Sequence, residues 1–324
     1  MEKRKLVILT GPTAVGKTKL SIELAKRIGG EIISADSAQV YKYMDIGSAK
    51  ITTEEMENIP HYLIDELEPK EEFNVVVFQQ KAKQYMENIY SKGKIPILVG
   101  GTGFYIQAVL YDINFSVDDD NHQIRASLEK LGQEMGPLYL HEELRKVDPA
   151  SADAIHANNM KRVIRALEYY QLTGQKISEH NEEQRLNSSP YDFSYFVLND
   201  HRNLLYARID KRVDEMVVNG LIEEVKALKS MGYDRSYVSM QALGYKEIFR
   251  YLEGEISLEE AIYIIKRDTR HFAKRQITWF KREKEVVWVN KPDFEYNNDA
   301  ILDFMYQNIY SNDGITINPI SSMR

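Results

Sequence analysis

The chain has 324 residues, 43% of them hydrophobic and 28% charged, which gives it core material for a large domain plus a smaller one. It contains no cysteine, which excludes disulfides and thiolate-bound zinc and fits a reducing, cytoplasmic setting. A formal net charge of −7 argues against a uniformly basic nucleic-acid-binding protein, so any site for a polyanion must be local.

The opening run MEKRKLVILT is too short and too quickly interrupted for a signal peptide, and no stretch reaches membrane-spanning length. Its apolar half predicts a strand over Leu6–Thr10, followed by GPTAVGKT and a helix over Lys17–Ile28. Gly11, Gly16, Lys17 and Thr18 fit G-x-x-x-x-G-K-[ST] between a strand and a helix, the phosphate-loop pattern of nucleotide-binding and ATP-binding proteins. Glycines let the backbone of Gly11, Pro12, Thr13, Ala14, Val15 and Gly16 wrap an anion, so that amide N–H groups and the helix N-terminus face the phosphates. Lys17 adds a mobile positive charge, and the Thr18 hydroxyl is a ligand for Mg²⁺.

A second strand is predicted over Glu31–Asp36, a helix over Val75–Tyr90 and a third strand over Lys94–Gly101. Short apolar strands alternating with helices predict an α/β fold, a parallel sheet flanked by helices like that of the P-loop nucleoside-triphosphate hydrolases. Ligands of such sheets sit at the carboxyl ends of the strands, where the phosphate loop, DSAQVY (36–41) and GGTGFY (100–105) then meet. After Tyr111 the acidic INFSVDDDN opens a stretch of helical patterns, Gln123–Leu131, Leu138–Val147, Pro149–His156 and Met160–Leu172. A strand returns at Phe193–Asn199, then long helices over Asn203–Lys229 and Ser257–Lys284, and a closing strand over Val286–Asn290. The expected division is a discontinuous core of residues 1–114 and 190–312, a helical insertion domain of residues 115–189, and a loose tail of residues 313–324.

One segment departs from the acidic background. Lys266–Lys284, KRDTRHFAKRQITWFKREK, carries eight Lys/Arg against Asp268 and Glu283, with Lys274 and Arg275 at its centre. On composition it is either a solvated helix face balanced by acidic neighbours or a patch that contacts a polyanion backbone. A phosphate-loop hydrolase usually also ends a strand in Asp or Asp-Glu to hold the metal and the attacking water. Here the third strand ends in Gly-Gly-Thr-Gly, and the carboxylate at a strand end is Asp36, placed to accept a proton or to shape a turn. The seven histidines show no ligand spacing.

GPTAVGKT, ADSAQVY, GGTGFY, NMKRVIRALE, QALGYKE and TRHFAKRQITWFK, in this order and spacing, resemble the bacterial tRNA dimethylallyltransferase (tRNA isopentenyl transferase, MiaA) family. The resemblance runs from the loop to about Trp288. It implies that the loop binds the diphosphate of dimethylallyl diphosphate and that the prenyl group passes to N6 of adenosine 37 beside the tRNA anticodon. The phosphates are then a leaving group, and a hydrolytic carboxylate is not needed. The resemblance assigns Asp36 as the base and places Thr102 near the reacting amine. It puts Ser37, Ala38 and Gln39 against the extruded adenine and Arg125, Arg162 and Arg165 against tRNA. Arg208 and Arg212, one turn apart on a helix, suit a diphosphate clamp or else pair with Asp210, Asp214 or Glu215. Ala157, Asn159 and Tyr62 stand where the family commonly has proline, aspartate and histidine. Competing readings are a small-molecule or nucleotide kinase, a prenyltransferase acting on free adenine nucleotides, and a non-enzymatic RNA-binding module. The expected partners are tRNA, through its anticodon stem-loop, and dimethylallyl diphosphate, with the chain acting as a monomer and without a membrane.

Overall fold

The alternation is realised as a parallel sheet in a computed structural model that describes residues 3–115, 122–185 and 187–311. β1 (Arg4–Thr10), α1 (Lys17–Ile28), β2 (Gly30–Ala35), β3 (His61–Tyr62), α2 (Val75–Ser91), β4 (Ile95–Gly100) and α3 (Gly103–Leu110) come first. Five helices follow: α4 (His122–Met135), α5 (Pro137–Val147), α6 (Pro149–Ala154), α7 (Met160–Thr173) and α8 (Ile177–Arg185). The chain then returns through β5 (Tyr191–Asn199), α9 (Arg202–Val218), α10 (Leu221–Ser230), α11 (Tyr245–Leu252), α12 (Leu258–Phe280), β6 (Val286–Asn290) and α13 (Asn298–Tyr310). Two compact units result, Met1–Val109 with Tyr191–Arg324, and Leu110–Pro190. The acidic residues 116–121 and the expected tail 313–324 lie outside the described residues.

In the first unit the six strands lie in the order β3-β2-β4-β1-β5-β6, all parallel. The central strands read as continuous apolar runs because helices cover both faces, and Leu6, Ile8, Leu9 and Ile33 are fully buried. Register aligns the carboxyl ends: Thr10 is opposite Gly100 and Val197, Ala35 is opposite Gly100, and Asn199 is opposite Asn290. Strand spacing of about 4.8 Å therefore sets the loops after β2, β4, β1, β5 and β6 side by side along one edge.

The expected single helix over Asn203–Lys229 is two helices. Gly220 adopts φ 102°, a left-handed conformation that ends α9 and starts α10 in a new direction. The break brings the Glu224 carboxylate onto three successive amides, those of Asp45 (2.9 Å), Ile46 (2.7 Å) and Gly47 (3.1 Å). Sequence periodicity also left α3, α8, α11, α13 and the two-residue β3 unassigned; most are short, and a two-residue strand has no period to detect.

The second unit packs Leu128, Leu140, Leu144, Val163, Ile164 and Leu167 about its own core. Buried Asp148 joins its helices: it accepts hydrogen bonds from the amides and hydroxyls of both Ser151 and Ser178 at 2.6–3.0 Å. Burial pushes that carboxyl up, but these donors together outweigh it and hold it below the usual range.

Glu31 does similar work on the edge of the sheet. Its carboxylate is buried and accepts from Tyr62 (2.6 Å), Lys92 (3.0 Å) and Lys94 (2.8 Å). Tyr62, where the family commonly has histidine, thus spends its hydroxyl on Glu31 and stacks its ring on Tyr85 at 4.6 Å. Burial raises the Glu31 pKa, yet Lys94, Tyr62 and Lys92 prevail and bring it down to about 2. A carboxyl depressed on folding stabilises above its unfolded value and loses that contribution as pH falls through the folded one. Glu31→Gln is expected to cost about 1–3 kcal/mol at neutral pH. Urea unfolding of the two proteins should show that gap closing between pH 4.5 and about 2.

Candidate active site

The phosphate loop leaves β1 at Gly11 with φ 143°, where a Cβ would overlap the Leu198 carbonyl of β5. Ala14 at φ 61° and Gly16 at φ 96° complete a turn that ends directly in α1. Val15 is fully buried beneath the loop, and Pro12 and Ala14 are also buried, so the loop's shape is fixed by packing. Lys17 folds back over it and donates to the Gly11 and Pro12 carbonyls, both at 2.9 Å. Burial pushes its ammonium down to about 8; Asp36 nearby raises it and Arg212 nearby lowers it.

Asp36 follows β2 and shapes the DSAQ turn. Its Oδ1 accepts from the amides of Ala38 (2.9 Å) and Gln39 (3.4 Å), while Oδ2 accepts from no described residue. The turn-forming reading of Asp36 is met through one oxygen, and the other has no partner among the described residues. Ser37 is exposed at this turn. Gln39, by contrast, is occupied locally: it accepts from Ser34 (3.2 Å) and donates to the Ser48 (3.4 Å) and Ala49 (3.2 Å) carbonyls. Thr102, after β4, donates its amide to Ala35 at 3.3 Å and caps α3 by accepting from Tyr105 and Ile106.

The glycines of GGTG are explained by what lies against them. A Cβ on Gly100 would overlap the Ala35 carbonyl, one on Gly101 the Gln276 amide, and one on Gly103 the Trp279 indole. Helix α12 therefore sits directly on the strand ends. From its buried face, Gln276 accepts from the Thr13 amide (2.9 Å) and donates to the Gly101 carbonyl (3.0 Å). One side chain ties the phosphate loop to the turn that carries Thr102. Sequence reasoning singled out this segment for its charge and passed over Gln276. The available signal was a glutamine in register with Ala273 and Phe280 on the apolar face of an amphipathic helix.

Arg208 and Arg212 do not join the surface lattice offered as an alternative. Asp210 pairs with Arg270 (2.5 Å), Asp214 with Lys266 (2.6 Å) and Glu215 with Lys211 (3.4 Å). Arg212 has no carboxylate within ion-pair distance among the described residues, and burial lowers its pKa. Arg208 pairs with buried Asp200 at the end of β5, which also accepts from Tyr296 at 3.0 Å. A further cation, Lys291, stands after β6 with its ammonium 3.5 Å from the Val15 carbonyl. It was not foreseen; a lysine immediately after a strand of this edge was the available signal.

The basic segment divides in two. Lys266, Arg267 and Arg270 are balanced by Asp214, Asp268 and Asp210. Lys274, Arg275, Lys281, Arg282 and Lys284 have no ion-pair partner among the described residues, and all are exposed. The Arg275 guanidinium lies over the Phe272 ring at 5.8 Å. In the second unit, Arg125 (3.3 Å) and Arg165 (3.6 Å) both flank buried Glu168, whereas Arg162 is exposed.

Fold and site together define a phosphate-loop α/β protein whose strand ends carry cations, a threonine and one turn-forming aspartate in place of a hydrolytic acid. Residues 39–283 match the family described as IPP transferase. The chain is 65% identical over 297 residues to a tRNA dimethylallyltransferase of Lachnoclostridium phytofermentans, covering 92% of this chain and 94% of that one. It is 52% identical over 301 residues to one of Acetivibrio thermocellus, covering 93% and 96%. Among solved structures it resembles the full-length tRNA isopentenylpyrophosphate transferase of Bacillus halodurans, with TM-score 0.72, 45% identity and coverage of 96% and 98%. It also resembles a eukaryotic dimethylallyltransferase described as acting on tRNA, with TM-score 0.82, 30% identity and coverage of 99% and 82%. This chain belongs to the IPP transferase family.

Replacing Gln276 by Ala leaves the part-buried Thr13 amide and the buried Gly101 carbonyl without this partner. The expected cost is about 1–3 kcal/mol in unfolding free energy. Loosening of the loop should also weaken diphosphate binding, measured by calorimetry on the same variant.

Proposed function

We propose that this chain transfers the dimethylallyl group of dimethylallyl diphosphate to N6 of adenosine 37 in tRNA and releases diphosphate. It would act in the cytoplasm and as a monomer. The observation that carries the reading is the pairing of Asp36 with the phosphate loop: an aspartate with one unengaged oxygen lies close enough to Lys17 to raise its pKa. A kinase or hydrolase would need a carboxylate that holds metal and water at the next strand end, and β4 ends in Gly-Gly-Thr-Gly instead. The relatives' names and the unbalanced Lys274–Lys284 stripe favour a large RNA acceptor over a free nucleotide. Among the described residues, no helix is long and apolar enough to cross a membrane.

In this reading the adenine leaves its stack to reach Asp36. As the N6 lone pair forms a bond to the first carbon of the prenyl group, that carbon's bond to oxygen breaks and its electrons leave with the diphosphate. Asp36 Oδ2 accepts the proton that the amine gives up, since an exocyclic amine is a poor nucleophile while it keeps it. Lys17, Arg208, Arg212 and the loop amides meet the charge that accumulates on the leaving group. The Thr102 hydroxyl, at the adjoining strand end, orients the amine. Thr18 opens α1 with its side chain exposed, and among the described residues no three His, Asp or Glu side chains converge as a metal cluster. That donor set fits Mg²⁺ held by Thr18, water and the diphosphate's own oxygens. When bound, the ion would neutralise part of the leaving group's charge.

Mass spectrometry of tRNA nucleosides after incubation with dimethylallyl diphosphate and Mg²⁺ should show N6-isopentenyladenosine at position 37; phosphorylated product from ATP would instead favour a kinase. In single-turnover assays Asp36→Asn should slow the chemical step by about 10²–10⁴, with donor and tRNA affinities little changed. A parental rate at all Mg²⁺ concentrations would remove Asp36 from the role of base. Separately, Lys274→Glu with Arg275→Glu should weaken tRNA binding and flatten its salt dependence while diphosphate affinity holds. Filter binding across a salt series checks it.

A further inference from the structure

The phosphate loop is approached by cations from two directions. On one side Lys17 lies over the Gly11 and Pro12 carbonyls, with Arg212 near enough to lower its pKa. On the other, Lys291 stands 3.5 Å from the Val15 carbonyl, and a Cβ on Gly16 would come within 3.3 Å of its ammonium. Arg208 is the neighbour that most depresses Lys291 after burial itself, ahead of the opposing pull of Asp200. Arg208 and Arg212 are one turn apart on α9, with Arg212 near Lys17 and Arg208, itself paired with Asp200, near Lys291. Lys291 has no carboxylate within ion-pair distance among the described residues.

The turn that presents Lys291 is rigid. Asn290 bonds Asn199 on β5 (3.0 Å) and Asp293 (3.0 Å). Pro292 follows directly, and Glu295 and Tyr296 both take left-handed conformations. Tyr296 returns its amide to the Lys291 carbonyl (3.0 Å) and its hydroxyl to Asp200 (3.0 Å). Packing this firm around a half-buried, unpaired ammonium costs stability unless an anion repays it. Among the described residues, Asp36 acts on Lys17, Asp200 pairs with Arg208 and acts on Lys291, and Glu215 and Glu55 act on Arg212 from beyond ion-pair distance, so neither lysine has a carboxylate in direct contact.

We propose that Lys291 is a fourth cationic ligand of the diphosphate, so that Lys17 with Arg212 and Lys291 with Arg208 each meet one of its two phosphoryl groups. The inference rests on the reading of the loop as a diphosphate site. It assigns a binding role to a residue that lies beyond the segment matched to the family.

The test is calorimetric titration of the full chain with inorganic diphosphate and with orthophosphate, on the parent, Lys291→Met and Lys291→Arg. Lys291→Met keeps the aliphatic stem and removes the charge. Its diphosphate affinity is expected to fall about ten-fold or more, with orthophosphate affected less because a single phosphoryl group engages one cation pair. Lys291→Arg should recover most of the loss. In steady state with tRNA, Lys291→Met should raise the KM for dimethylallyl diphosphate more than it lowers kcat. Because an unpaired cation beside Arg208 is relieved, Lys291→Met should melt no lower than the parent without ligand. Parental diphosphate affinity in Lys291→Met, or a loss that comes with a lower melting point and no recovery in Lys291→Arg, overturns the role of Lys291 alone. A parent that binds no diphosphate overturns the reading of the loop and this inference with it.

Discussion

The contact on which the site depends is the seating of α12 on the strand ends, with the Gln276 amide bridging the Thr13 N–H and the Gly101 carbonyl. Three glycines in a row of four are required because backbone, amide and indole occupy the space a Cβ would take. The sheet alone would set the loops after β1 and β4 at strand spacing. The glutamine fixes their relative height and tilt. The same helix exposes Lys274 and Arg275 two and one residues before it, so whatever binds those cations is held against a rod whose inner face touches the phosphate loop.

The electrostatics of the site run against stability. Lys17 and Lys291 each stand near an arginine of the same sign, and among the described residues Arg212 is half-buried with no carboxylate at ion-pair distance and the Arg208 Nε is buried with no hydrogen-bond partner. Such an arrangement persists because the surrounding packing over-determines it. The parallel sheet, the buried Glu31 hub and the Glu224 clamp on residues 45–47 supply that rigidity away from the chemistry. Sites that bind highly charged ligands commonly show this trade between local strain and global support.

Much of this was legible in the sequence because the signals were local. The strand–loop–helix of residues 6–28 is written in contiguous residues, and so are the strands that end at Ala35 and Gly100. Asp36, Lys17, Arg212 and Thr102 sit where the order of elements places them. What escaped was set by partners distant in sequence. Gln276 acts on residues far upstream, Lys291 reaches the loop only because β6 pairs with β5, and the end of α9 is decided by one left-handed glycine that overrides the periodicity of Asn203–Lys229. The pairing of Arg125 and Arg165 with Glu168 is another case, since a composition argument counts their charges without the buried carboxylate between them.

The sheet order also has a consequence for how the chain assembles. β1 completes its pairing only when β5 arrives, and residues 110–190 intervene between the last helix before it and that strand. Closing a long loop costs entropy that must be met before the distant contact rewards it, and this slows folding. Here the intervening segment has an independent core built on Leu140, Leu144, Val163 and Leu167 and a polar hub at Asp148. Once that core has collapsed, the ends of the segment are joined by a compact body instead of a random coil, and the effective loop is shorter. The second unit therefore shortens the effective loop that β5 must close to reach its place beside β1.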